Sequence, residues 1–310
     1  MGGSGCPPLS HSQHDVDEER NVTKSWTRVL AAAGAAAGLL SGFSLSGFSA
    51  ALAADGPLGQ PHPWQLGLQE GVTPIKHSIA DLHSMLLIII TAITVFVLAL
   101  LLYVMVRFGA KKNPVPSRIS HNTFVEIAWT LIPVLILVVI AVPSFRLLYA
   151  EDRIPKADMT LKVTGHQWYW SYEYPDNGGF GFDSLMVQTD DLKKGQPRLL
   201  ETDNHVVVPV DTTVRIQITG ADVLHAWMVP ALGVQIEAVT GRLNESWFKA
   251  EKEGIFYGQC TELCGINHGF MPISVEVVSK EKFKEWAAAA KKKFAADEAP
   301  SRQLAQADNR

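Results

Sequence analysis

The sequence predicts a hairpin of two membrane-spanning helices followed by an all-β domain. Two apolar stretches, at residues 85–106 and 127–149, predict the helices, because each is long enough to cross about 30 Å of hydrocarbon. After residue 150, short β-branched or aromatic runs alternate with turn sequences such as "PDNGG" and "KKGQP". Many short strands at this spacing predict a Greek-key sandwich or barrel.

The N-terminal region predicts export. Residues 1–23 are polar and are expected to form a disordered extension. Residues 24–54 combine Lys24 and Arg28 with an apolar stretch and the small residues Ala51 and Ala53, which is typical of a cleaved signal peptide. The alternative is an uncleaved membrane anchor, because the apolar part is long. With either interpretation, the chain after Asp55 begins outside the cytoplasm.

The loop between the two apolar stretches sets the orientation of the predicted hairpin, residues 55–150. Residues 107–122 of this loop are basic and contain no acidic residue; their charged side chains are Arg107, Lys111, Lys112 and Arg118. Short loops rich in Lys and Arg lie on the cytoplasmic side of a membrane. Both ends of the hairpin are therefore expected in the periplasm, which predicts a multi-pass protein of a bacterial inner membrane.

Glu126 lies at the cytoplasmic end of the second stretch. A carboxylate in the first turn of a helix is favoured by the helix dipole, which is one interpretation. The other is a functional acid that faces protein or water, because a carboxylate facing lipid is costly. Position alone leaves both open.

The outer domain is predicted to span residues 151–280, and acidic residues outnumber basic ones within it. This excess is either a solvated surface or a surface that attracts a basic partner. No nucleic-acid partner is expected. Residues 281–310 predict a C-terminal helix that continues into a disordered tail.

Residues 257–272, "YGQCTELCGINHGFMP", gather Cys260, Cys264, His268 and Met271. Taken alone, the cysteine pair would fit a periplasmic disulfide as well as it fits a metal site. The added imidazole and thioether favour copper, whereas zinc sites are more commonly built from four Cys and His ligands. His225, on a predicted strand upstream, supplies a second imidazole in the order found in cupredoxins. Two thiolates rather than one can bridge two copper ions.

Four motifs in the exported part carry a family resemblance: "GHQWYWSYEY", "DVLHAWMVPALG", "GRLNESWF" and "YGQCTELCGINHGFMPI". Behind a two-helix hairpin, they resemble subunit II of the haem-copper cytochrome c oxidases over residues 55–290. The resemblance implies a cupredoxin-like domain with a dinuclear copper centre, CuA. It also implies that electrons pass from cytochrome c to haem in subunit I, where reduction of O2 to water is coupled to proton pumping.

The resemblance assigns roles to individual residues. It implies copper ligation by His225, Cys260, Glu262 through its carbonyl oxygen, Cys264, His268 and Met271. The Glu262 side chain would also bind a magnesium or manganese ion shared with subunit I. Trp168 would receive the electron, Glu126 would lie at the entrance of a proton path, and cytochrome c would dock on Glu173, Asp183, Asp203 and Asp222. Trp170 is expected in the core. The implied partners are subunit I with its haem and CuB, subunit III, cytochrome c and membrane lipid.

Departures from the family pattern lie near the implied magnesium site. Ala226 replaces a frequent serine, and Gln235, Glu237 and Thr240 differ within "GVQIEAVTGR".

Three other protein classes are disfavoured. A quinol oxidase subunit lacks the copper ligands, a copper chaperone would need neither Met271 nor two spans, and a fused cytochrome c would need a C-x-x-C-H motif, which this sequence lacks.

Overall fold

The computed structural model describes residues 59–115 and 117–307, with side chains up to residue 294. The predicted N-terminal extension and signal peptide, residues 1–54, lie outside the described residues. The described chain contains two long helices, ten strands and a C-terminal helix. This arrangement confirms the predicted fold class of a helical hairpin joined to an all-β domain.

The two long helices begin at polar caps. Helix α1 (Pro74–Arg107) follows Thr73, whose hydroxyl accepts the backbone N–H of Lys76 at 3.0 Å. Helix α2 (Thr123–Asp152) follows Asn122, whose side chain accepts the N–H of Val125 at 3.2 Å. Such caps satisfy helix N–H groups that have no partner within the helix. Both helices therefore extend beyond the apolar stretches seen in the sequence.

The surface of both long helices is apolar. Their most apolar windows have mean hydropathies of 3.1 and 2.6, and no residue in either window is buried. A helix that is apolar all round fits a membrane rather than water. Both helices are therefore long and apolar enough to cross a bilayer.

The β domain is built from two five-stranded sheets. The first has the order β3-β2-β1-β5-β8 and the second β4-β10-β9-β6-β7. The pairs β1–β5 and β4–β10 are parallel, and the other pairs are antiparallel. The strands are β1 (Met159–His166), β2 (Tyr169–Tyr174), β3 (Phe180–Ser184), β4 (Val206–Pro209), β5 (Thr213–Gly220), β6 (His225–Val229), β7 (Val234–Ala238), β8 (Asn244–Lys249), β9 (Gly254–Cys260) and β10 (Pro272–Val278).

The core of the domain lies between the sheets. In β5, buried and half-buried residues alternate along the whole strand, as expected when one face of a sheet packs inward. Large side chains fill the interior; the fully buried aromatic residues are Trp170, Trp227, Tyr172, Tyr174, Phe248 and Phe256.

Two further segments close the domain. Residues 59–73 cross its surface, where Gly59 O accepts the N–H of Tyr257 at 2.9 Å and Val72 N donates to Ala231 O at 3.1 Å. The C-terminal helix α3 (Lys280–Ala307) places the Trp286 ring 5.2 Å from that of Tyr174. The β domain is thus held by residues on both sides of it in sequence.

Candidate metal centre

Two neighbouring strands and one loop position the predicted metal ligands. His225 begins β6 and Cys260 ends β9, and these strands pair antiparallel with Trp227 opposite Cys260. The loop from residue 261 to 271 joins β9 to β10, which are also antiparallel neighbours. Because those strands are antiparallel neighbours, the loop folds back over the end of the sheet. Its side chains therefore lie close to Cys260.

The sulfur atoms of Cys260 and Cys264 lie 3.9 Å apart. A disulfide needs a separation of about 2.0 Å, and both cysteines are free. The Cys264 sulfur lies 3.5 Å from Nδ1 of His268 and 3.5 Å from the sulfur of Met271. The structure thus shows two thiols side by side rather than the alternative disulfide.

The Cys260 sulfur has its own set of neighbours. Nδ1 of His225 is 4.0 Å away, and the thiol donates to the carbonyl oxygen of Glu262 at 3.3 Å. His225, Cys260 and Cys264 are buried and form a cluster able to hold a metal ion. The structure therefore brings all six predicted ligand residues together. Two thiols, two imidazoles, a thioether and a carbonyl form a soft donor set that fits copper.

The two thiols differ in acidity. Burial alone would raise the pKa of Cys260, but hydrogen bonds with His225 and with backbone groups lower it to about 7. Burial and the neighbouring Cys260 raise the pKa of Cys264 to about 12. Cys260 is therefore the more acidic of the two thiols, and a bound cation would favour a thiolate at both cysteines, because metal ligation requires deprotonated cysteine.

Asp222 supports the cluster from outside. Its carboxylate accepts Nε2–H of His225 at 2.8 Å, while the other ring nitrogen faces Cys260. It also accepts the backbone N–H groups of Gln167 and Val223, both at 2.7 Å. Burial would raise the pKa of Asp222, but His225 and these N–H groups hold it below its usual value. A carboxylate in this position fixes the tautomer and orientation of a metal-binding histidine.

Trp168 reaches the cluster through the backbone of Cys264. Its indole N–H donates to the Cys264 carbonyl at 3.3 Å, and the Gln167 amide donates to the same oxygen at 2.8 Å. Gly265 has a φ of +122°, and a Cβ there would lie 3.1 Å from the Trp168 ring. The Trp168 side chain is half-buried. Gln167 was not predicted, and its only sequence signal is that it adjoins Trp168.

Trp170 has a different environment. It is fully buried, its indole N–H donates to the carbonyl of Met271 at 3.3 Å, and its ring meets the His225 ring edge-on at 5.8 Å. The side chain therefore packs beneath the cluster, as expected of a core residue.

The other acids proposed for docking are exposed, and each has a local partner. Glu173 forms an ion pair with Lys162 at 2.9 Å, and Asp183 accepts the hydroxyl of Ser171 at 2.6 Å. Asp203 accepts the N–H of Leu185 at 2.8 Å. These acids lie on the first sheet or beside its edge strand β3.

Glu126 lies apart from the cluster. It occupies the first turn of α2, half-buried, at the opposite end of the helix from Asp152. Its position satisfies the helix-dipole interpretation and leaves the functional one to experiment.

Comparisons with known proteins match both parts of the chain. The family model described as the periplasmic domain of cytochrome c oxidase subunit II matches residues 159–278. The model described as the transmembrane domain of the same subunit matches residues 61–147.

Relatives are similar over about three quarters of the chain. A probable cytochrome c oxidase subunit 2 of Rickettsia bellii is 53% identical over 238 residues, which is 77% of this chain and 88% of that protein. Cytochrome c oxidase subunit 2 of Oenothera berteroana is 51% identical over 230 residues, 72% of this chain and 89% of that protein.

Among solved structures, the periplasmic domain of subunit II of the cytochrome oxidase of Bradyrhizobium japonicum is 60% identical, covering 46% of this chain and 99% of that chain, with a TM-score of 0.43. The two family models and the identity to the Rickettsia bellii protein show that the chain belongs to the cytochrome c oxidase subunit II family.

Proposed function

We propose that this subunit accepts electrons one at a time from cytochrome c and passes them to the haem of subunit I, where O2 is reduced to water and protons are pumped. The observation that carries the proposal is the convergence of the two thiols with His225, His268 and Met271. A dinuclear copper centre, when bound there, supplies a one-electron acceptor and donor.

The protein residues would hold this centre in complementary ways. Cys260 and Cys264 would provide two thiolates, and His225 and His268 would each present Nδ1. Met271 would add a weak thioether ligand, and the carbonyl of Glu262 a hard oxygen. Since Cys260, Cys264, His225 and Met271 are all buried, water would have little access to the ligands.

Trp168 is the proposed point of electron acceptance. Its half-buried ring is available to a partner on one side and is hydrogen-bonded to the backbone of Cys264 on the other. The exposed acids Glu173, Asp183 and Asp203 would attract a basic cytochrome c, with Asp222 adding its charge at the same end of the domain. Long-range attraction of this kind raises association rates.

Three further assignments belong to the assembled oxidase. The Glu262 side chain would bind a magnesium or manganese ion shared with subunit I. Glu126 would lie at the entrance of a proton path into that subunit. The hairpin would be held in a bacterial inner membrane by lipid and by subunits I and III, with the β domain in the periplasm.

Electron paramagnetic resonance of the purified oxidase tests the metal assignment. We expect the hyperfine pattern of one unpaired electron shared by two copper nuclei. Cys260→Ser and Cys264→Ser should each abolish it, and Met271→Leu should retain copper with a shifted potential. Met228→Leu, a methionine on β6 outside the ligand set, is the matched control. A pattern from a single copper nucleus in the unmodified protein would refute the dinuclear assignment.

A further inference from the structure

Helix α3 closes one edge of the β domain. Strand β3 is the edge strand of the first sheet, and β4 is the edge strand of the second. The rings of Trp286 and Phe294 on α3 pack on Phe182 of β3, with centroids 6.4 and 4.8 Å away. Trp168 lies in the turn between β1 and β2, and β2 separates β1 from β3 in the sheet. The helix therefore lies on the outer side of β3, away from Trp168.

Lys293 of α3 lies beside two of the acids proposed for docking. Its ammonium group donates to Oδ1 of Asn204 at 3.2 Å, and the Asn204 amide donates to the backbone carbonyl of Asp183 at 3.0 Å. Asp203 precedes Asn204 in the chain and lines the same cavity as Lys293. The Lys293 ammonium group also lies 4.5 Å from the centre of the Phe294 ring. These contacts hold a positive charge at the outer border of the acidic surface.

The charge of Lys293 is open to solvent and is not cancelled by an acid. The side chain is exposed. Among the residues whose side chains the structure describes, Lys293, Asp183 and Asp203 belong to none of the ion pairs. The two acids accept hydrogen bonds from Ser171 and from backbone N–H groups instead. Each of these charges therefore acts on an approaching partner over a Debye length of ~10 Å at 0.1 M salt.

The acids at this edge would not by themselves place a partner over Trp168. Asp183 is on β3 and Asp203 lies beside it, so both are at the outer edge of the sheet. A basic partner attracted to these two acids would be equally well placed if it extended outward over α3. A positive charge on α3 disfavours that arrangement, because like charges brought together at an interface suppress the wrong geometry.

We propose that Lys293 is a specificity-determining residue of the docking surface. It repels a basic cytochrome c from the α3 side and thereby keeps the bound cytochrome over Trp168. This inference rests on the proposed function, since it concerns the partner that delivers the electron. Lys293 acts through its charge and needs no contact with the cytochrome. It slows association, but it raises the fraction of bound cytochrome c that is in position for electron transfer.

Stopped-flow association of cytochrome c with the purified oxidase is the first measurement. At an ionic strength of about 0.01 M, Lys293→Gln should raise the association rate about twofold, because one repulsive unit charge is removed. Lys293→Arg keeps the charge and should retain the unmodified rate. Lys252→Gln is the matched control. It makes the same change in net charge, but Lys252 precedes β9 and so lies at the end of that strand opposite Cys260.

The position of the bound cytochrome is the second measurement. Carbodiimide cross-links join lysines of cytochrome c to carboxylates of the oxidase. The share of these cross-links that involves Asp203 should rise in the Lys293→Gln oxidase, because the cytochrome spends more time at the outer edge. At saturating cytochrome c, reduction of the copper should be slower in the same variant. Lys252→Gln should leave both the cross-links and the reduction rate as they are in the unmodified oxidase.

The outcomes separate this inference from the proposed function. Equal association rates and equal cross-links in the Lys293→Gln and Lys252→Gln oxidases, with normal reduction of the copper, would overturn the role of Lys293 alone. Slower association of the Lys293→Gln oxidase would also overturn it, because Lys293 would then attract the partner. An unmodified oxidase whose copper is not reduced by cytochrome c would refute both the proposed function and this inference.

Discussion

At the residue scale, Asp222 connects the metal cluster to the surface that carries Trp168. One carboxylate oxygen accepts from His225, and the other accepts from the backbone of Gln167. The same side chain therefore orients a proposed ligand and the turn that presents the proposed electron acceptor. Its charge also adds to the acidic surface, so one substitution would affect both the proposed metal binding and the proposed docking of a partner.

Asp222→Asn should weaken copper binding. The amide cannot match a carboxylate as acceptor from Nε2–H of His225, and loss of such an outer partner typically lowers metal affinity about 10- to 100-fold. Competition with a copper chelator measures the change. Asp203→Asn is the matched control, because its carboxylate contacts only backbone N–H groups of Leu185 and Asn204. Equal copper affinity in the two variants would restrict Asp222 to docking.

Trp168→Gln should slow electron acceptance while leaving the association of cytochrome c nearly unchanged. The ring contributes no charge to long-range attraction. Its indole N–H contacts the backbone carbonyl of Cys264, one of the proposed metal ligands. At saturating cytochrome c, stopped-flow reduction of the copper should slow by about tenfold or more, a barrier increase of about 1.4 kcal/mol. Trp64→Gln, a tryptophan 97% exposed, is the control. Weaker association with normal reduction would contradict the assigned role.

At the element scale, a polar cluster ties strands β9 and β10 of the second sheet to the segment that precedes β4. The buried Glu201 accepts the hydroxyl of Tyr257 on β9 at 2.8 Å and bonds to Nε2 of His205. Nδ1 of His205 lies 3.3 Å from Glu276 on β10. Burial would lower the pKa of His205, but the two carboxylates raise it above its ordinary value of 6.5. Burial and the neighbouring Glu201 raise the pKa of Tyr257.

These shifts predict a pH-dependent stability. A raised histidine pKa stabilises the folded state fully below about pH 6.5 and loses this contribution as pH rises through the folded-state value. His205→Gln should therefore reduce the loss of thermal stability between mildly acidic and alkaline pH. His121→Gln, at an exposed position in the loop between the helices, should not. Parallel pH profiles for the unmodified and His205→Gln oxidases would show that the histidine contributes nothing.

Glu276 gives the stability of the cluster the opposite pH dependence. Its hydrogen bond with His205 is the main reason that its pKa lies below the usual value. Its contribution is therefore present above the unfolded-state pKa and is lost as pH falls through the folded-state value. The cluster should therefore stabilise the sheet most at pH values above the unfolded-state pKa of Glu276 and below the unfolded-state pKa of His205.

Local patterns predicted the elements better than the contacts between them. The apolar stretches located both helices, but the helix ends depended on Thr73 and Asn122, which do not interrupt an apolar pattern. The spacing of Cys260, Cys264, His268 and Met271 defined most of the cluster, because one loop contains them. Asp222 lies only three residues before His225, whereas Gln167 meets Asp222 and Cys264 only after distant segments come together, so nothing local in the sequence indicated the contacts of Gln167. The His205 cluster depends on three segments for the same reason.

At the scale of the whole molecule, the chain separates two proposed tasks along helix α2. The metal cluster belongs to the β domain that follows the end of α2, whereas Glu126 lies in its first turn. The 30-residue helix spans about 45 Å at 1.5 Å per residue. Substitutions at Glu126 should therefore leave the geometry of the copper site unchanged, and electron acceptance and proton supply become separately measurable.

Glu126→Gln should slow turnover of the oxidase without slowing reduction of its copper by cytochrome c. The amide keeps the size of the side chain, but it cannot take up and release a proton as a carboxyl group does. If proton supply from the cytoplasmic side limits the reaction, steady-state O2 consumption should fall and its pH dependence should change, while stopped-flow reduction of the copper remains normal. Asp152→Asn, at the other end of the same helix, should leave O2 consumption at the unmodified rate. A Glu126→Gln oxidase with unchanged turnover and an unchanged pH profile would reduce Glu126 to an acid that stabilises the start of α2 through the helix dipole.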